Sequence, residues 1–414
     1  MKRVCFLTMI MVATVGLMVL APSASWAQAK GPIKIGFTAP LTGPYAQIGK
    51  DMVDGTNLYL NAVGGQMAGR KIDLIIEDDE NVAATGLTKV RKLVEMNRVS
   101  MVSGGALAAM GYAIQPYVDQ KRMPTLVPVI ASDDLTQRKR AKWMVRTGWN
   151  ASQAMHPFGE YAYKTLGFRK IAAIGMDYAF GWELLGGFQT TFEEAGGRVI
   201  QKIWCPTTTQ DFSPYLAQIN READAVLSML AGRLCITFVK QYQEYGLKGK
   251  IPLIGAGTLT DESVLPSMGD EALGIITALH YSAALDTPAN KEFVKTYREK
   301  AGKIPSYYSE ACYTGMRWID QTLLALKGDV SNPDRILKAM RAVKITETPR
   351  GPISVDAYNN IVQNIYIRKV ERVGGELQNT VIYTYPKVSQ FWKFDPKEFL
   401  SRPAYSRDYP PIKP

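Results

Sequence analysis

Few residues in the chain are placed to do acid–base chemistry. There are two histidines, His156 and His280, and neither has an evident orienting partner in the sequence. A catalytic imidazole needs such a partner, so we predict that both histidines are structural. Four acids stand together at Glu77–Glu80, at the end of an apolar run. A hard cation needs more ligands at defined spacing, so we predict a solvated loop there and no metal site.

Sequence motifs for catalysis are also missing. The chain has no H-E-x-x-H pair, no nucleophile elbow and no phosphate-cradling loop followed by its lysine. The "GAG" at Gly255–Gly257 lacks the third glycine and the following helix of a nucleotide-binding fingerprint. The sequence therefore predicts a binding protein that is not an enzyme and that carries no cofactor.

One stretch of small residues suggests how a ligand could be held. In "SGGALAAMGYAIQP" (Ser103–Pro116), an apolar run ends and a helical pattern begins. The turn Leu107–Met110 offers no hydroxyl, acid or base, so its chemistry is that of backbone N–H groups beside methyl groups. Free N–H groups at the start of a helix bind anions. We therefore expect this turn to bind an anionic group.

The pattern around this turn is an alternation of short strands with helices. "IKIGF", "KIDLIIED", "VSMVSG" and "PTLVPV" read as strands with helical segments between them, and a second series restarts at "RKIAAIGMD". Helical crossovers of this length require parallel strands covered on both faces. A helical region follows from about residue 283, and late strands follow it. A chain of 414 residues is too long for one core, so we expect an α/β fold with two units.

The ends of the chain differ from this pattern. Residues 1–27 have a basic start, an apolar run and small residues near Ala27, which is typical of a cleaved signal peptide. Its removal lowers the formal charge from +11 to +9, because Lys2 and Arg3 are lost. Residues 391–414 alternate prolines with aromatic residues, and we expect an extended tail lying across one lobe. The basic segment Arg138–Lys142 is interpreted as a solvated loop, and no nucleic-acid partner is expected.

The sequence resembles a known family over nearly its whole length. "TAPLTGPYAQIG", "DYAFG" and "GKIPSYYSEACYTGMRWIDQ" are similar to segments of exported solute-binding proteins of the branched-chain amino acid type, which serve ABC transporters. The resemblance implies the type I periplasmic binding protein fold, with two parallel-sheet α/β lobes and a ligand cleft between them. It also implies a periplasmic, monomeric protein that delivers a small molecule to a permease of the inner membrane. We expect lobe 1 at 30–146 and 283–345, lobe 2 at 147–282 and 346–390, and chain crossings near Thr147, Ser282 and Val343–Pro349.

The ligand site implied by the resemblance lies beyond the carboxyl ends of the strands. Two groups of residues are expected there: backbone groups of the turns, and apolar or aromatic side chains with one cation. The expected ligand-binding residues are Tyr45, Leu107, Ala108, Ala109, Met110, Val129, Ile130, Ala131, Trp149, Tyr178, Phe180, Leu230, Arg233, Gly257 and Tyr281.

The sequence departs from the family where an α-amino acid would be recognised. Members that bind amino acids are expected to use two hydroxyls and one acid, and here those positions fall near Ala108, Ala131 and Gly257. A buried ammonium without these groups would be costly to desolvate. We therefore expect an aromatic or other apolar carboxylate. A branched-chain amino acid ligand, a ligand-sensing receptor of the same fold and an exported enzyme remain the alternatives.

Overall fold

The structure is a computed structural model that describes residues 31–413. The predicted signal peptide therefore lies outside the described residues. Fifteen strands occur in the described part of the chain: β1 (Ile33–Ala39), β2 (Gln66–Met67), β3 (Arg70–Asp78), β4 (Met101–Gly104), β5 (Thr125–Val127), β6 (Met144–Arg146), β7 (Lys170–Met176), β8 (Arg198–Cys205), β9 (Ala225–Met229), β10 (Leu253–Ala256), β11 (Ile276–Leu279), β12 (Lys344–Ile345), β13 (Ile353–Val355), β14 (Ile361–Val373) and β15 (Glu376–Val388).

Eleven α-helices lie between these strands or after them in the same residues: α1 (Ala46–Ala62), α2 (Ala83–Glu95), α3 (Ala108–Lys121), α4 (Ala151–Lys164), α5 (Ala179–Glu194), α6 (Ser213–Leu216), α7 (Leu234–Glu244), α8 (Pro288–Ala301), α9 (Tyr307–Ala325), α10 (Pro333–Ala342) and α11 (Pro396–Ser401). None of the helices between residues 31 and 413 is both long and apolar enough to cross a bilayer.

The first sheet has the strand order β2-β3-β1-β4-β5-β6 and is parallel except for the short β2–β3 pair. Ile35 of β1 packs with Trp318 of α9 on one face, whereas Val102 of β4 packs with Val90 of α2 on the other. Both faces are therefore covered, as the continuous apolar strands predict. We call this sheet with α1–α3 and α8–α10 the first lobe.

The second sheet has a parallel centre in the order β11-β10-β9-β7-β8. The long strand β14 adds to β11 in antiparallel direction, and β15 and β13 pair with β14. We call the parallel centre, β15 and α4–α7 the second lobe. The prediction of two α/β units with parallel sheets is confirmed, and the antiparallel extension is an addition to it.

The third chain crossing has a different position in the structure from the segment Val343–Pro349. Ile345, Ile353 and Ile361 pack in the apolar cluster of the first lobe, whereas Ile367 of β14 pairs with Ala278 of the second lobe. We therefore propose that the chain crosses within the first residues of β14. The other lobe boundaries remain predictions, and the sheet to which each strand belongs supports them.

The C-terminal tail (391–413) is ordered against the second lobe. The Tyr405 hydroxyl lies 3.1 Å from both His156 Nε2 of α4 and Thr190 Oγ1 of α5. Arg138 donates to the carbonyls of Phe399 and Arg402 at 2.9 Å, so this part of the basic segment holds the tail instead of facing solvent. Proline does not exclude regular structure here, because Pro396 occupies the first turn of α11, where its missing N–H costs nothing.

The three cysteines of the described chain, Cys205, Cys235 and Cys312, are buried and unpaired. Burial raises the pKa of the Cys205 thiol to about 11. The apolar cores, not disulfides, therefore hold the two lobes together.

Candidate ligand-binding cleft

A small cavity lies where the two lobes meet. Its walls are mostly aromatic or aliphatic: Tyr45, Ile48, Asn81, Ala106, Leu107, Val129, Ala131, Tyr178, Phe180, Ala231, Tyr307 and Tyr308. Its volume is about 40 Å³, room for about three water molecules at 10–15 Å³ each. The lobes are therefore closed on each other, and a ring-sized ligand needs their walls to move apart.

Two helices begin at this cavity, one from each lobe. The residue before α3 is Leu107 and the residue before α5 is Tyr178, and neither side chain caps its helix. The first N–H groups of both helices thus lack the side-chain oxygen that usually accepts from them. Because these groups carry partial positive charge, the cavity has two ends that favour an anion.

The third wall comes from α9, which begins with Tyr307 and Tyr308. Helix α1 approaches α9 so closely at Gly55 that a Cβ there would lie 2.0 Å from the Ser309 carbonyl oxygen. Below this contact, Ser306 Oγ donates to the buried carboxylate of Asp51 at 2.6 Å. Glycine and this hydrogen bond therefore fix the start of α9 and the two tyrosines at the cleft.

The tyrosines of the cavity are neutral hydrogen-bonding groups. Burial, with smaller effects from two cysteine thiols, raises the pKa of Tyr45 to about 12. Burial also raises the pKa of Tyr178 and of Tyr307 well above the usual range of a phenol. These side chains therefore offer rings and neutral hydroxyls to a ligand, and no charge.

Gly257 lies at a position that leaves no room for an acid. A Cβ at Gly257 would lie 2.4 Å from Leu279 Cβ. The buried guanidinium of Arg368 donates to the Gly257 carbonyl at 2.7 Å and to the Tyr281 carbonyl at 2.8 Å. The wall at Gly257 therefore carries no acid of its own, and the cation behind it lies 3.9 Å from a carboxylate oxygen of Glu262.

The buried carboxyl closest to this wall in sequence is Asp261, which is already engaged. It accepts from the backbone N–H groups of Tyr307 at 3.2 Å and Ser263 at 2.9 Å. Burial raises the pKa of Asp261 to about 7, and the charge of Glu262 adds to the shift. Asp261 caps α9 across the two lobes, and its carboxyl holds its proton more readily than an ordinary aspartate.

A second layer of rings lies behind the aromatic wall of the cavity, which includes Phe180 and Tyr307. Trp149 is fully buried, with its ring centroid 6.1 Å from that of Phe180 and 5.9 Å from that of Tyr307. His280 lies 5.7 Å from Trp149 and 5.5 Å from Tyr307 by ring centroids. Burial, with Arg350 and Arg368 nearby, lowers the pKa of His280 well below its usual value, so the imidazole is neutral.

The structure places the expected site residues in three groups. Those that line the cavity are Tyr45, Leu107, Val129, Ala131, Tyr178 and Phe180. Those that adjoin it or lie behind its wall are Ala108, Ala109, Trp149 and Gly257. Those that lie elsewhere are Met110, Ile130, Leu230, Arg233 and Tyr281.

The direction of each side chain explains why these five residues do not line the cavity. Met110 and Ile130 turn into the core of the first lobe, where Met110 fills the space beside Gly86. Tyr281 is buried against Phe293. Arg233 is exposed and lines a wider outer pocket of about 720 Å³ that shares only Tyr45 with the cavity.

Six cavity residues were not expected from the sequence: Ile48, Asn81, Ala106, Ala231, Tyr307 and Tyr308. Ala106 and Ala231 follow strand ends at which neighbouring residues were expected to bind the ligand. Including one or two more residues at each strand end would have predicted them. Tyr307 and Tyr308 are distant in sequence from the other walls. Their signal is an aromatic pair at the start of a helix, which does not itself indicate that the helix points into the cleft.

Two α/β lobes that close on a cavity at the carboxyl ends of their strands define a solute-binding protein. Residues 32–376 match the family model described as periplasmic binding protein, and the chain belongs to this family. It is 31% identical to the Leu/Ile/Val-binding protein homolog 6 of Brucella melitensis over 378 residues, covering 89% of this chain and 94% of that protein.

Solved structures agree with this assignment. An ABC transporter substrate-binding protein from Sphaerobacter thermophilus is 35% identical, with a TM-score of 0.82 over 87% of this chain and 99% of that one. A solute-binding protein of an ABC transporter from Rhodopseudomonas palustris, in complex with 3,4-dihydroxybenzoic acid, is 33% identical. Its TM-score is 0.83 over 87% of this chain and 98% of that one. The predicted family and fold are confirmed.

Proposed function

We propose that this solute-binding protein takes up a small aromatic carboxylate in the interlobe cleft and delivers it to an ABC permease. Export to the periplasm through the segment 1–27, closure by hinge motion and action as a monomer are parts of the same proposal. The observation that carries the ligand class is the wall at Gly257, which has no space for an acid and a buried Arg368 behind it.

The remaining walls support the same class of ligand. Tyr178 and Phe180 stack with ring centroids 6.0 Å apart, and Tyr307 and Tyr308 lie 3.9 Å apart on the opposite side. Offset and edge-to-face contacts with such rings favour an aromatic ligand. The helix starts at Leu107 and Tyr178 then supply N–H groups for its carboxylate.

A structural relative supports the proposal independently. The R. palustris protein that is 33% identical was solved with 3,4-dihydroxybenzoic acid. The B. melitensis relative carries a Leu/Ile/Val-binding name, so leucine is the competing ligand to be tested. For leucine to bind, its ammonium would need a partner, and Asp261 already accepts from the backbone N–H groups of Tyr307 and Ser263.

Thermal unfolding of the mature protein against a ligand panel tests the proposal. After partial unfolding and refolding to remove bound solute, the protein is heated with leucine, benzoate, 3-hydroxybenzoate or 4-hydroxybenzoate. A ligand at one hundred times its Kd adds about 2.7 kcal/mol to the free energy of unfolding, which raises the Tm by several degrees. We expect a rise with at least one aromatic acid and none with leucine. A rise with leucine alone would overturn the aromatic assignment.

A further inference from the structure

Five buried polar side-chain atoms of Trp149, Asn150 and His280 have no hydrogen-bond partner among residues 31–413. They are Trp149 Nε1, both ring nitrogens of His280, and the amide nitrogen and Oδ1 of Asn150. All three side chains are fully buried. An unpaired buried donor or acceptor costs about 1–3 kcal/mol, so a group of them at one place needs an explanation. We call Trp149, Asn150 and His280 the inner polar group.

Trp149 and His280 of the inner polar group lie directly behind the cavity wall. Trp149 meets the rings of Phe180 and Tyr307 edge-on, at interplanar angles of 86° and 80°, and both rings line the cavity. Phe180 belongs to the second lobe, whereas Tyr307 begins α9 of the first lobe. Separation of the lobes therefore moves Tyr307 away from Phe180 and opens a path from the cavity to Trp149 and His280.

The chemistry of these atoms selects one kind of ligand group. The indole N–H of Trp149 only donates, whereas a neutral imidazole donates at one nitrogen and accepts at the other. Burial keeps His280 neutral, because its pKa lies well below the usual value. A ring C–H pairs none of these atoms, and a carboxylate, which only accepts, cannot pair the imidazole acceptor. A hydroxyl both accepts and donates, so of these groups it alone can accept from the Trp149 N–H and also donate to the imidazole acceptor.

We infer that the inner polar group is a recognition site for a ring hydroxyl, so that the ligand is a hydroxylated aromatic acid whose carboxylate lies at the start of α3 or α5. This inference rests on the proposed function and adds the orientation of the ligand and the residues that distinguish hydroxylated from plain rings. Sites that pair a substrate hydroxyl reject the analogue without it strongly, since their own polar groups are then left unpaired.

Isothermal titration with benzoate, 3-hydroxybenzoate and 4-hydroxybenzoate tests the inference. The wild-type protein is expected to bind one hydroxybenzoate at least tenfold more tightly than benzoate. Trp149→Phe and His280→Phe keep a ring at each position and remove the polar atoms. Each is expected to reduce that preference to threefold or less. The preference is a ratio within each variant, so a loss of stability does not mimic the result.

His156→Phe is the matched control. His156 is as buried as His280, but its Nε2 lies 3.1 Å from the Tyr405 hydroxyl of the tail. This variant is expected to lower the Tm and to keep the hydroxyl preference. Equal wild-type affinities for benzoate and both hydroxybenzoates, or a preference that survives both variants, would overturn the inference and leave the proposed function standing. Binding of none of the three acids would overturn the proposed function itself.

Discussion

Two of the contacts between the lobes have opposite chemistry. At the cavity, aromatic rings from both lobes pack together, and the hydroxyls of the tyrosines are neutral. At the second place, Tyr112 of α3 donates to Glu183 of α5 at 2.7 Å, and Glu183 also accepts from the Asp133 backbone N–H at 3.1 Å. We call Tyr112, Asp133, Arg146 and Glu183 the carboxyl cluster.

The difference indicates which of the two contacts breaks and re-forms when the lobes open and close. Ring contacts are weakly directional and re-form around a ligand at little cost. The carboxyl cluster instead depends on hydrogen bonds to buried acids, and a broken one leaves a charged or polar atom unpaired. Arg146 ends β6, directly before the predicted crossing at Thr147. The carboxyl cluster therefore suits the pivot of closure, and the cavity suits the opening side.

Arg146→Met should have the largest effect, because it breaks the carboxyl cluster. The guanidinium of Arg146 donates to Thr136 Oγ1 and Asn360 Oδ1, each at 3.0 Å, and to the Ser132 carbonyl. Its loss removes these three hydrogen bonds and leaves the buried acids without a nearby cation. We expect a loss of about 3–5 kcal/mol in the free energy of unfolding, measured by urea titration.

Arg221→Met is the control for that variant. Arg221 is exposed on the second lobe, and an exposed substitution of this kind changes stability by about 0.5 kcal/mol or less. If Arg146→Met costs no more than Arg221→Met, the carboxyl cluster does not hold the lobes, and the proposed division between pivot and opening side is wrong.

The pH dependence of stability gives the next largest effect. Burial raises the pKa of Asp133 to about 6. Burial also raises the pKa of Glu183 well above the usual range, and the charge of Asp133 adds to that shift. An unfolded aspartate releases its proton near pH 4, so the folded state binds more protons than the unfolded state between about pH 4 and 6. The free energy of unfolding contributed by this pair therefore falls as pH rises through that range.

Asp133→Asn isolates this contribution. The amide keeps the oxygen that accepts from the Ser152 N–H at 3.1 Å but cannot titrate. The difference in unfolding free energy between wild type and variant should decrease by on the order of 2–3 kcal/mol from pH 4 to pH 6, since one pKa unit corresponds to about 1.4 kcal/mol. Subtraction removes the opposing effect of His156 and His280, whose lowered pKa values destabilise the fold as pH falls. A difference independent of pH would contradict the prediction.

The sequence was sufficient to predict the fold but not the part of the site that α9 contributes. The alternation of "IKIGF", "KIDLIIED" and their helices predicts the parallel sheets, because crossover length and burial follow from local pattern. The turn at Leu107 was found because backbone chemistry at a strand end depends on neighbouring residues alone. Tyr307 reaches the cavity only through the contact of Gly55 with α9, more than 250 residues apart in sequence. No local pattern contains that contact.

Side-chain direction is the other quantity that the sequence could not supply. In the extended segment after β5, Val129 and Ala131 face the cavity and Ile130 faces the core, as alternation requires. The pattern gives the alternation but not which member faces the ligand. Arg233 shows the same limit, because a shift of one or two residues at the start of α7 separates the cavity from the outer pocket.

Arg233→Ala should therefore have the smallest effect. It tests whether the cavity binds the ligand without help from the outer pocket. Arg233 is exposed and lines the outer pocket with Thr207, Thr209 and Gln210. An exposed cation gives at most a salt-screened attraction to an anionic ligand. We expect the Kd for an aromatic acid to rise by about twofold at low salt and by less at 0.5 M salt, measured by titration. A loss of tenfold or more that persists at high salt would show that Arg233 swings inward to hold the carboxylate, and the N–H groups of α3 and α5 would then no longer be needed as its main anchor.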